Sequence, residues 1–261
     1  MSDVLTVESD NLSVAWARVF LHMMERGVSE ASPVVVSING FIEDDPVEDR
    51  RIRGGIDGAL AQLFPGLSCH TVANTIFPTA LWRPEDGSEK LYERYIRVSR
   101  RVRAYPRNRN GVYFERMIDF GNDGGPGSGF NQLQHIIDTW RRGNHRRSAM
   151  QVAIFDPRND HTHQRQRGFP CLQQVAFSHE EGGHLSVTGF YATQYVVERT
   201  YGNFLGLSRL GKFMAHELGL ELEQVNCVAN VALLGQTSKD SLRRLAEATR
   251  AVLTEFDSAA A

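Results

Sequence analysis

Cysteine is scarce in this chain: Cys69, Cys171 and Cys227 are the only thiols in 261 residues. They are too few and too far apart for a disulfide framework or a clustered zinc site, and no metal is expected. Thiols that stay reduced fit a cytoplasmic protein. An excess of one charge is also missing. The net charge is −2, so no global basic field exists to hold nucleic acid. No apolar run reaches the length of a membrane span. The opening stretch, MSDVLTVESD, is acidic and has no apolar segment of the signal-peptide kind. Internal repeats and linker-like stretches are lacking as well. What remains is an ordinary composition, 41% hydrophobic and 23% charged. A chain of this length can bury a substantial core as one domain. Residues 1–10 and 257–261 are expected to fray.

The hydrophobic spacing predicts helices over 12–26, 88–103, 131–142, 204–218 and about 238–256. Strands are expected at 33–38, 150–155, 172–177, 185–191 and 225–234. The charged stretch 43–53 reads as a surface loop or helix start. The glycine-rich GNDGGPGSG at 121–129 reads as a flexible loop. It is not a phosphate-binding loop, since no Gly-Lys-Ser/Thr follows. The fold class is α+β, a mixed sheet flanked by helices.

One constellation carries chemistry. Arg146-Arg147-Ser148 precedes a strand, Phe169-Pro170-Cys171 leads into a strand pair, and Asn203 follows. A lone cysteine ahead of a strand is usually a small core residue, a reading that serves well for Cys69 and Cys227. Cys171 differs, with a proline before it and arginines upstream. A nearby arginine lowers a thiol's pKa and so raises its thiolate fraction.

From about Trp16 to Leu234, and most firmly from Phe130 to Leu222, the sequence resembles the thymidylate synthase family, which includes the pyrimidine-nucleotide hydroxymethylases. The matching positions are Asn131-Gln132, Arg146-Arg147, Pro170-Cys171-Leu172, Ala192-Thr193-Gln194-Tyr195 and Asn203. Met214-Ala215 and Leu220-Glu221 keep the family's spacing after Asn203, and Tyr113 resembles the tyrosine of its Val-Tyr-Gly segment. Arg199-Thr200-Tyr201 through Leu207 also looks like the family's Arg-Ser-x-Asp-x-Phe-Leu-Gly-Leu. That register needs a seven-residue insertion and puts Leu210 at the base-reading position, so the ungapped register is preferred.

The resemblance implies a thymidylate synthase-like sheet whose face is used for dimerisation. It implies a nucleophile, Cys171, that adds to C6 of a pyrimidine nucleotide and activates C5 toward a one-carbon unit, with Tyr113 beside it. Arg146, Arg147, Thr193, Asn203 and Gln174 would bind substrate, with arginines acting across the homodimer interface. The cofactor implied is 5,10-methylenetetrahydrofolate. Asn203 offers a donor and an acceptor to a uracil edge. Several family residues are replaced: the phosphate arginine by Ala192, the folate aspartate by Tyr195, and the histidine after the cysteine by Leu172. The ribose pair is missing near Leu233 and Gly235. Glu89 or Glu93 stands in for the family's catalytic glutamate. The expectation is therefore a methyl- or hydroxymethyltransferase whose substrate is not ordinary dUMP, with a catalytically silent nucleotide-binding protein as the alternative.

Other signals are read as background. His179-Glu-Glu-Gly-Gly-His184 has the wrong spacing for a zinc helix and suits a hairpin turn. His161 and His163 lie in a polar loop with Arg165 and Arg167. The run Arg97, Arg100, Arg101, Arg103, Arg107 and Arg109, with Tyr105 inside it, is a solvated helix face or an anion site.

Overall fold

A computed structural model describes residues 4–163 and 169–259. In chain order the strands are β1 (Leu5–Ser9), β2 (Glu30–Ala31), β3 (Val34–Ile38), β4 (Phe41–Ile42), β5 (Asp45–Pro46), β6 (Gln151–Ala153), β7 (Leu172–His179), β8 (His184–Tyr195) and β9 (Glu221–Leu233). The helices are α1 (Leu12–Glu25), α2 (Arg50–Leu63), α3 (Cys69–Ile76), α4 (Gly87–Ala104), α5 (Tyr113–Ile118), α6 (Gln132–Arg141), α7 (Pro157–Asp160), α8 (Tyr201–Leu218) and α9 (Lys239–Ala259). None is long and apolar enough to cross a membrane.

The main sheet runs β1-β3-β9-β8-β7-β6 and is mixed. β1 is parallel to β3, and β8 is parallel to β9. β3 with β9, β7 with β8 and β6 with β7 are antiparallel. Side chains alternate across a strand, and here the alternation separates two faces. Val175, Phe177, Leu185, Val187, Val225, Cys227, Val34 and Val36 are buried on one. That face meets α8, which packs on β8 and β9, and α1, which packs on β1 and β3. The opposite face is half-buried or exposed. One row across it pairs Ala153 with Gln174, Gln174 with Phe190, Phe190 with Val228, and Val228 with Val35. Phe190 is 37% exposed. This is a mixed sheet with helices on one face, which agrees with the expected fold class at that level.

Several boundaries move. The expected fraying of residues 1–10 is corrected from Leu5 onward. The alternation there buries Val7 and Ser9, and β1 pairs with β3 along its whole length. The other expected frayed end, 257–261, is helical through Ala259, because α9 packs on α1 and α2. The loop at 121–129 is not simply flexible. The Asp119 carboxylate accepts the Gly129 N–H at 2.6 Å and the Gly127 N–H at 2.8 Å, so the chain wraps around its own anion. Amides already used in this way cannot cradle a phosphate.

Helices α2, α3 and α5 escape the periodicity reading. α3 is only 8 residues long but carries a capping box, in which Ser68 and Thr71 satisfy each other's backbone N–H groups. β8 runs four residues past its expected end, to Tyr195. α8 begins at Tyr201 rather than Phe204 because a π-helical turn, Val196–Thr200, feeds directly into it. The Trp16 indole N–H donates to the Val196 carbonyl at 2.9 Å and the Thr200 hydroxyl to the Tyr195 carbonyl at 3.2 Å. These bonds fix the wide turn at the end of β8.

Candidate functional site

The cysteine is positioned from both sides. Upstream, the Phe169 ring stacks on Tyr113, with centroids 5.2 Å apart, and the Arg116 guanidinium lies 5.2 Å from the same ring. Tyr113 and Arg116 are one turn apart on α5. Arg116 is held in turn by Asp160, through two bonds of 2.9 Å. Gly111 makes room for the ring: a Cβ there would lie 2.5 Å from Phe169, and its φ of +132° already disfavours a side chain. Downstream, the Cys171 carbonyl accepts the Ala192 N–H at 2.9 Å, which joins the residue to β8.

A cavity of about 220 Å³ opens at this point. Cys171, Tyr113, Thr193, Tyr195 and Asn203 all line it. The structure thus brings together five residues singled out from sequence. It also adds Arg199, Glu198, Arg107 and Gln236. The cavity adjoins a larger, mainly apolar groove of about 570 Å³, whose wall includes Leu81, Tyr95, Val98 and Tyr105. Arg107 and Arg199 line both chambers.

Burial pushes the Cys171 thiol above its ordinary value, while the Arg199 charge and a hydrogen bond donated by the Tyr113 hydroxyl pull it back. The expected lowering by the upstream arginines is therefore corrected. Desolvation outweighs both opposing influences, and the cation that acts on the thiol is Arg199. Cys227, deep in the sheet, is pushed up to about 12, and burial raises Cys69 as well. Tyr113 is also raised by burial, although the Cys171 and Leu172 N–H groups donate to its oxygen.

Arg199 makes no ion pair among the described residues, and Asn203 makes no side-chain hydrogen bond to any of them. Asn203 is 3% exposed and sits in the first turn of α8, where no side chain caps the helix. Its amide faces the cavity and is free for a ligand, so a capping role does not account for it. Two glycines let α8 lie close enough to present it. A Cβ on Gly202 would lie 2.4 Å from Val72, and one on Gly206 would lie 3.0 Å from the Ala73 carbonyl.

Other expected site residues lie elsewhere. Gln174 projects on the open sheet face, and its amide donates to Gln151 at 2.6 Å; the period-2 alternation turns it away from the cavity. Arg146 and Arg147 are exposed on the turn before β6 and do not line the cavity of their own chain. Glu89 and Glu93 are exposed on α4, with Glu93 bonded to Lys90 at 2.9 Å. Neither reaches the cavity, so neither replaces a catalytic glutamate. In the arginine run Arg103 pairs with Glu115 at 2.8 Å, and Arg107 alone joins the cavity wall. His179 and His184 flank a hairpin turn. His161 and His163 are exposed, while Arg165 and Arg167 lie outside the described residues. Among the described residues no group of three or more His, Cys, Asp or Glu could hold a metal ion.

Leu210 is fully buried core. The sequence offers Arg199 only inside a false copy of the arginine motif, yet the π-turn brings it into the cavity lining. The local signal was an arginine next to a glutamate in an otherwise apolar stretch. No protein-family model matches the chain, and no curated protein matches it either.

Proposed function

We propose that the protein is an enzyme that modifies C5 of a pyrimidine nucleotide or nucleoside by covalent addition of Cys171 to C6, with a methyl or hydroxymethyl group delivered. One observation carries this reading. A thiol, a tyrosine hydroxyl that favours its charged form, an uncommitted guanidinium and an uncommitted amide line the same cavity. Sulfur adds to an electron-poor ring carbon as the thiolate. A raised pKa makes that thiolate scarcer but intrinsically more nucleophilic. Arg199 and Arg107 would hold a phosphate, in place of the arginine that Ala192 replaces, because a planar guanidinium matches phosphate oxygens. Asn203 would read the base edge and Thr193 support the sugar.

The fold is read as thymidylate synthase-like. In that reading the open sheet face is a homodimer interface, and Arg146 and Arg147 serve the cavity of a second copy. A reduced folate fits poorly in the usual manner. Tyr195 offers no carboxylate to a pterin, and among the described residues no Asp or Glu lines the apolar groove.

The test is intact-protein mass spectrometry after incubation with 5-fluoropyrimidine nucleotides, whose fluorine makes C6 more electrophilic. An adduct mapped to Cys171, and absent in Cys171→Ser, is the expected result. The buried thiol favours one rival, a catalytically silent nucleotide-binding protein. Nucleotide binding without any adduct would select that rival, and no binding at all would remove both.

A further inference from the structure

The arginine run that follows Glu93 is the feature that the preceding reading leaves mostly unused. Between Glu93 and Glu115 the chain carries seven arginines and no acidic residue. Arg94 pairs with Asp86, Arg103 with Glu115, and Arg97 with Glu93 at 3.6 Å. Arg100, Arg101, Arg107 and Arg109 are exposed and form no ion pair among the described residues. The net charge of −2 describes the whole chain, whereas this stretch is a local positive surface. It borders the apolar groove. Val98, Val102 and Tyr105 recur at helical spacing along α4 and its C-terminal cap, and all three line the groove. Arg97 and Arg101, one turn apart, each precede one of those valines. Tyr105 lines the groove yet is 46% exposed. Its hydroxyl reaches the turn at Gly66, where a Cβ would lie 3.1 Å from it. The two chambers meet at two guanidinium groups, since Arg107 and Arg199 line both. Arg107 is held there by the Pro65 carbonyl, to which it donates at 3.0 Å.

We propose that the substrate is a pyrimidine within a single-stranded nucleic acid, with the reacting nucleotide in the cavity and the nucleotide before it in the apolar groove. The proposal rests on the reading of the cavity as a pyrimidine site. The 5′-phosphate of the reacting nucleotide is then a phosphodiester, seated on Arg107 and Arg199 where the chambers meet. A guanidinium matches the oxygens of a diester as it does those of a terminal phosphate. The neighbouring base needs an apolar slot and an aromatic face. Val98, Val102 and Tyr105 supply both without reading its identity. Arg101 and Arg109, outside both chambers, carry the flanking phosphates. Two competing ligands account for less. A free nucleotide leaves the groove empty and these outer arginines without an anion. A nucleoside polyphosphate concentrates its charge, whereas these arginines are spread along a helix and a loop, and it has no second apolar group for the groove. A base stacked inside a duplex is out of reach of an active-site pocket, so the strand is single or locally opened.

The experiment is fluorescence anisotropy at several salt concentrations. The probes are labelled decamers of uridine, deoxyuridine and adenosine, with UMP and dUMP as unlabelled competitors. A uridine or deoxyuridine decamer should bind about 100-fold more tightly than its mononucleotide and about tenfold more tightly than the adenosine decamer. Its log affinity should fall against log salt with a slope of about −2, the value for about three phosphates of a single strand. Arg101→Gln and Arg109→Gln should each flatten that slope by about 0.7, and Tyr105→Ala should weaken the decamer about tenfold. All three variants should bind UMP as the wild type does. A mononucleotide bound as tightly as the decamer overturns the proposal and leaves the C5 reading standing. An adenosine decamer bound as tightly as the uridine one means backbone capture without the cavity, and overturns it too. A decamer carrying 5-fluorouracil separates the two readings. A Cys171 adduct supports both. Decamer binding that meets these expectations without any adduct keeps the nucleic-acid substrate and removes the covalent step. Binding of neither decamer nor mononucleotide removes both.

Discussion

The Tyr113 ring stacks on Phe169, two residues before Cys171, with centroids 5.2 Å apart, and its hydroxyl favours the charged form of that thiol. One side chain thus both positions the thiol and stabilises its charged form. Arg199 adds a positive charge, and burial opposes both.

The first prediction concerns reactivity. Alkylation by iodoacetamide, mapped by peptide mass spectrometry, should favour Cys171 over Cys69 and Cys227, which are 1% and 2% exposed. The raised pKa means that the thiolate is a minority near neutral pH and that the rate climbs with pH through the alkaline range. Arg199→Gln and Tyr113→Phe each remove a group that favours the thiolate, so each should slow labelling near neutral pH and converge with wild type at high pH. Faster labelling in either variant would reverse the assigned sign.

The second prediction is base choice. The Asn203 amide can donate to O4 and accept from N3–H of a uracil ring. Cytosine presents a donor where Asn203 also donates. A buried mismatch costs about 1–3 kcal/mol, so the preference should be about ten- to hundred-fold. Calorimetric titration of UMP and CMP should show it, and Asn203→Asp should shift it toward CMP. Equal affinities in the native protein would remove Asn203 from base reading.

The third prediction is oligomeric state. Phe190 stands in the row that crosses the open sheet face between Gln174 and Val228. Sedimentation should find a dimer at micromolar concentration, and Phe190→Glu, which puts like charges opposite each other across such an interface, should yield folded monomers. A wild-type monomer would leave this face to solvent and Arg146 and Arg147 without a cavity to serve.

A fourth prediction tests the approach of α8 to α3. Gly202→Ala places a methyl 2.4 Å from the Val72 Cβ and 2.8 Å from the Cys69 carbonyl. Overpacking of this kind costs about 1–3 kcal/mol, to be read as a lowered midpoint in urea unfolding. An unchanged midpoint would show that the helices move apart freely.

Much of this was legible beforehand, for physical reasons. Strand and helix periods mark β7, the first part of β8, β9, α6 and α8, where one face is buried. Cys171 stands out through its neighbours, and Tyr113, Thr193, Tyr195 and Asn203 only through the resemblance to the thymidylate synthase family. Gln174 failed because motif spacing says nothing of which way a strand residue points. Arg199 and Glu198 failed because a π-turn adds a residue to the helical repeat, and no local periodicity announces that. α3 failed because eight residues are too few to show a stripe, and its glycine-lined partner is visible only in three dimensions.

The cavity wall comes from stretches around Leu67–Thr75, Arg107–Tyr113, Phe169–Cys171, Thr193–Asn203 and Gln236. None is adjacent to another along the chain, so the wall closes only after long loops have closed, and such non-local pairing is the slow part of folding. Until then Cys171 is an ordinary thiol, without the Tyr113 donor or the Arg199 charge. A growing chain released from the ribosome as far as β8 would hold Cys171 but not the Gln236 corner that seats Glu198. The order of synthesis therefore keeps this cavity unassembled until Gln236 has been made.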